Sequence, residues 1–132
     1  MNKELNLKIL GYYNGEKLSK YKKWKKQRIR QSFCDRDLFN MDCWLCNVIP
    51  DALDRMIEIK CGTPTGWTEK EYKEYVKTIA DDIRKAYELN NVYMEENHWP
   101  TVEQVKVNKM ESDRLMKSAF ARLANIIWTL WD

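Results

Sequence analysis

The sequence predicts an all-α fold: a small single-domain helical bundle carrying a basic N-terminal arm or helix. Three observations lead there. Among 132 residues there are only four glycines and three prolines, too few turn formers for many short strands. Apolar residues return at steps of three and four in several separate segments, the period of a helix with one buried face. Thr68 and Thr101 stand where two of those segments begin, as N-caps should. The length is that of one domain. We divide it into a basic, aromatic segment over 1–33 and a helical core over 34–132.

The first ten residues alternate Leu5, Leu7 and Ile9, which suits a short strand or an extended arm, and GYYNG (11–15) reads as a turn. From Glu16 to Gln31 the residues are good helix formers, yet only Leu18, Tyr21 and Trp24 make an apolar thread. Such a helix is mostly solvated and docks by a narrow edge. Ser32 or Asp35 is expected to cap the next helix, with Asp35 and Asp37 favouring its positive end. Leu38, Met41, Leu45 and Val48 then predict one buried stripe. Pro50 is expected to break or restart the helix, which continues through Leu53, Met56 and Ile57 toward a C-cap at Gly62.

Thr68 and Glu71 form a capping box, and Trp67 is placed to staple onto Tyr72. Tyr72, Val76, Ile79, Ile83 and Ala86 trace the most regular helical stripe in the chain. A connection follows over 90–100. The last helix is polar to about Asp113 and then apolar through Leu115, Met116, Ala119, Leu123, Ile126, Ile127 and Leu130, running to the C-terminus.

Charge is unevenly distributed. Residues 1–33 hold ten of the 23 Lys and Arg but two of the 20 Asp and Glu, a net +8 against −5 for the remainder. A basic head on an acidic body attracts phosphates, or is neutralised within the fold or across a homo-oligomer contact. No run of ~18 apolar residues offers a membrane span. The N-terminus lacks the apolar stretch of a signal peptide, so a cytoplasmic protein with reduced thiols is expected.

Three groups of residues invite a chemical reading. Cys43 and Cys46 have CxxC spacing, with Cys34, Cys61 and His98 as further ligands for zinc. They fall within a helical stripe, however, with Trp44 and Leu45 between, so they read as small buried hydrophobes and no metal is expected. Asp35, Arg36, Asp37 and Asp42 form an acidic motif. Asp42 falls on or beside the apolar stripe, where a carboxylate needs a partner such as Arg36, Arg55 or Arg84. A divalent-cation site is the other reading, but no general base or Gly-rich phosphate loop accompanies it. Ser19, Ser112 and Ser118 lack a base at readable spacing. Neither a catalytic residue nor a cofactor is therefore assigned.

The third group is the basic, aromatic head. Lys25, Arg28 and Arg30 interleave with Tyr13, Tyr21 and Trp24, a pattern suited to gripping phosphates while aromatic rings stack a base. Its plain alternative is a solvated basic helix that pairs with the acidic body.

One resemblance spans about two-thirds of the chain. Phe33-Cys34-Asp35-Arg36-Asp37-Leu38-Phe39-Asn40-Met41-Asp42 is followed in order by Leu45-Cys46, Ile49-Pro50, Leu53, Gly62-Thr63-Pro64, Thr68-Glu69-Lys70-Glu71-Tyr72, Phe120-Ala121 and Leu130-Trp131-Asp132. This text resembles a family of small tailed-bacteriophage and prophage proteins with the phrase "GFSDRDLWNLDxxLAxxIxPxL", a "TxEEW" helix and a C-terminal "LFAxYFxxLWD". Cys46 stands where the family has alanine, Tyr72 where it has tryptophan, and the C-terminal segment is less aromatic. The resemblance implies a phage accessory protein acting in the host cytoplasm. From context it suggests a non-enzymatic anti-defence role: sequestering an anionic nucleotide such as a cyclic nucleotide immune signal. Nucleic-acid binding and inhibition of a host protein are the alternatives, with no membrane partner.

Overall fold

The computed structural model describes residues 18–59, 62–91 and 99–130. The N-terminal strand signal, the GYYNG turn, Tyr13, Cys61 and His98 lie outside them. Among the described residues the fold is all-α: α1 (Leu18–Gln31), α2 (Asp35–Phe39), α3 (Met41–Glu58), α4 (Glu69–Asn90) and α5 (Val102–Ile126), with a closing 3-10 turn at Ile127–Thr129. Packing divides the chain into two compact units, 1–48 and 49–132. The division falls inside α3.

In the first unit α1 docks by a narrow edge, as its sequence predicts. Trp24 and Cys34 are buried and Tyr21 packs against them. Ser32 ends α1 in the left-handed region, at φ 68°, and its amide donates to Arg28 O at 2.9 Å. That geometry takes up one of the carbonyls a helix end leaves orphaned. The α2 N-cap is neither Ser32 nor Asp35 but Cys34, and Asp37 reaches back to accept the Cys34 amide at 2.8 Å.

The expected single stripe from Leu38 onward is interrupted. Asn40 separates α2 from α3, so Leu38 and Met41 do not share one helix. Leu38 is 51% exposed and Met41 46%, while Leu45 and Val48 are half-buried. Pro50, expected to break or restart the helix, lies buried inside an α3 that runs through it. It supplies no amide to the Cys46 carbonyl, and the helix tolerates that loss. α3 ends at Glu58 with Ile59 in a turn, short of Gly62.

The second unit is built on α4. Tyr72, Val76, Ile79, Ile83 and Ala86 are all buried, as is Ala80. Thr68 Oγ1 accepts the Glu71 amide at 3.2 Å and Glu71 accepts the Thr68 amide at 3.0 Å. Trp67 meets Tyr72 edge-on at 5.9 Å between centroids, completing the predicted box and staple. Thr101 caps α5 through the Gln104 amide.

α5 lays Ser112, Leu115, Ala119, Leu123 and Ile126 inward. Small side chains let the two long helices approach, and Ser112 Oγ donates to Ala86 O at 2.7 Å. The helix gives way to the 3-10 turn at Ile127, which is 44% exposed, so the apolar face ends earlier than its sequence suggests. From α3, Asp51 and Asp54 both receive Arg84 Nη2, at 2.9 and 2.7 Å. Asp54 also receives Lys77 Nζ at 3.3 Å. No helix among the described residues is long and apolar enough to cross a membrane.

Candidate functional site

α1 carries the candidate site, and its two edges have different chemistry. Its sequence, LSKYKKWKKQRIRQ, contains no acidic residue. Tyr21, Trp24 and Arg28 stand at i, i+3 and i+7 on the docking edge. Residues 22, 26 and 30 stand at i, i+4 and i+8 on the opposite edge, each step rising ~6 Å along the helix.

The docking edge takes two of the residues proposed from sequence for ligand capture. Arg28 is only 9% exposed. Its Nε donates to Asp37 Oδ2 at 2.8 Å and its Nη2 donates to Asp37 Oδ1. A buried guanidinium whose Nε–Nη2 fork already holds a carboxylate is not open to grip a phosphate from solvent in two places, which corrects the role assigned to Arg28. Trp24 is likewise 9% exposed, with the Arg36 guanidinium 5.9 Å from its ring centroid. A ring packed in the core cannot stack an incoming base, so that assignment is also corrected. Lys25 Nζ lies 4.8 Å from the Tyr21 ring centroid, a cation–π contact that holds both side chains along the flank.

The acidic motif separates by position. Burial works to raise the Asp37 carboxyl, but hydrogen bonds from Arg28 and the Cys34 amide outweigh it and hold it below the ordinary range. Asp35 is held low by hydrogen bonding with Gln27 and then with Lys23, whose Nζ lies 3.2 Å away. Asp42, expected to need a partner on the buried stripe, is exposed. The buried carboxylate is Asp37, and its partner is Arg28 rather than Arg36, Arg55 or Arg84.

Among the described residues no three His, Cys, Asp or Glu side chains gather as metal ligands. Cys34 is fully buried, and Cys43 and Cys46 are half-buried. Burial pushes the Cys34 and Cys46 thiols up, which disfavours the thiolate needed to ligate or attack.

The outer edge is where cations remain available. A shallow, open hollow of about 570 Å³ runs along it, lined by Lys22, Lys23, Lys26 and Arg30 with Gln27 and Gln31 between them. Lys23 shares its charge with Asp35 across an exposed pair. Lys22, Lys26 and Arg30 form no ion pair with a carboxylate among the described residues. Of the residues singled out from sequence, Arg30 belongs to this row.

Lys22, Lys23 and Lys26 were missed as site residues. A helical projection with Trp24 turned inward finds all of them. Compared with protein-family models, curated proteins and solved structures, the chain matches none.

Proposed function

We propose that the protein is a non-enzymatic binding protein whose α1 holds the phosphate backbone of a nucleic acid. The resemblance noted above suggests that it serves a tailed phage in this capacity. The observation that carries the reading is the row Lys22, Lys26 and Arg30, three cations on one exposed edge with no carboxylate among them. A straight, open row suits a repeating anion better than a compact one, because successive phosphates meet successive helical turns. Trp24 and Arg28, which would have enclosed a single nucleotide, are committed to the core. Lysine-rich contact of this kind positions a backbone and carries little sequence information.

Sequestration of an anionic nucleotide remains a second reading. It is favoured by the volume of the hollow, about 570 Å³, which is the size of a small-molecule pocket.

Fluorescence anisotropy with duplex DNA, single-stranded DNA and a panel of linear and cyclic nucleotides separates the two. Backbone binding through three cations predicts log affinity falling with log salt at a slope of about −2 to −3 on duplex DNA. Stoichiometric nucleotide binding with no retention of either DNA would replace it. Absence of binding to all three ligand classes would end both readings.

A further inference from the structure

We infer that two copies of this chain pair through the outer face of α5, antiparallel, with Asp113 of each helix facing the partner's Lys117. The inference is independent of the α1 row. α5 turns Ser112, Leu115, Ala119, Leu123 and Ile126 inward. On the far side Lys106, Met110, Asp113, Lys117, Phe120 and Ala124 follow one another at steps of four and three. That alternation keeps a seam on one face of a helix and is how paired helices present their contacts.

All six side chains are exposed. Met110 is 73% exposed, and Phe120, partly covered by its own fold, keeps 38% of its surface open.

Charge selects the occupant and its direction. A two-fold axis at the level of residue 115 opposes residues whose numbers sum to 230. Asp113 then meets the partner's Lys117, and Lys117 meets the partner's Asp113. Met110 meets the partner's Phe120 on either side, a thioether against an aromatic ring.

Two opposite-charge layers at the centre are thus flanked by two apolar layers, and one surface is complementary to itself, as an isologous contact requires. Parallel pairing would set aspartate on aspartate and lysine on lysine. Lys109 Nζ lies 3.4 Å from Asp113 within the same helix; the pair is exposed and offers little resistance to exchange. The seam is short beside a standard interface, so the dimer is expected to be concentration-dependent.

Sedimentation velocity of the full chain over a dilution series tests this. The wild type should pass from dimer to monomer. Asp113→Lys and Lys117→Asp, each of which creates like-charge layers, should each raise the dissociation constant about tenfold or more. The double variant D113K/K117D restores opposite charges and should recover the wild-type constant. Thermal melting of each variant checks that the helix pair stays folded. A wild type monomeric at every concentration overturns the inference. So do single variants that dimerise like the wild type, or a double variant no better than the singles.

Discussion

Asp37 accepts both Nε and Nη2 of Arg28 and, through Oδ2, the amide of Cys34 as well. One carboxylate therefore closes the start of α2, neutralises the buried Arg28 cation of α1, and ties the two helices through residues nine apart. With side chains 7% and 2% exposed, both charges are out of water. Their mutual satisfaction is what makes the arrangement tolerable.

Removing one partner should accordingly cost far more than removing both. Asp37→Ala strands the Arg28 cation and is expected to cost about 3–5 kcal/mol. Arg28→Met paired with Asp37→Leu should cost less than D37A alone. Urea unfolding of Arg28→Met, Asp37→Leu and their double closes a cycle that gives the coupling directly, and strict additivity would contradict it.

Acid should loosen the same unit. The folded Asp37 carboxyl sits below its unfolded value, so its stabilisation is fully present above the ordinary carboxylate range near ~4. It is lost as pH falls through the depressed folded value. Thermal melts from about pH 6 downward should show stability flat at first and declining below about pH 4. Asp37→Asn should flatten that decline. An unchanged acid profile in D37N would assign the decline to other carboxylates.

Ser32 occupies a backbone conformation at φ 68° that L-residues other than Asn and Asp seldom adopt. Ser32→Gly removes the steric cost but loosens the unfolded chain. The net expected gain is about 0.5–1 kcal/mol, the left-handed steric cost less that entropy. Ser32→Val, branched at Cβ, should lose stability at the same site. Equal denaturation midpoints for the two would argue against the αL cap.

The second unit was the more legible in sequence because its signals are local and redundant. Thr68, Glu71 and Trp67 announce the start of α4, and Val76, Ile79 and Ile83 repeat at one period over its length. The first unit was misread where tertiary pairing overrode pattern. Leu38 fits an apolar stripe only if the helix runs unbroken through Asn40, and it does not. Arg28 looks like any other cation of its run until Asp37, nine residues on, folds against it. The contrast is measurable. Ile79→Ala, at a fully buried position, should cost about 2–5 kcal/mol, while Leu38→Ala at a half-exposed one should stay within about 0.5 kcal/mol.

The outer row of α1 makes the sharpest functional prediction. Lys22→Ala, Lys26→Ala and Arg30→Ala each remove one cation from an exposed edge, so none should unfold the protein. If each meets one phosphate, each should weaken duplex binding and reduce the salt slope by about 0.9. Lys85→Ala, exposed on α4, should change neither. Arg28 supplies the internal contrast: R28M should lower stability, yet leave the salt slope of the folded fraction unchanged, because its charge already belongs to Asp37. A slope that drops in R28M and stays constant in K26A would place the phosphates on the other edge of the helix.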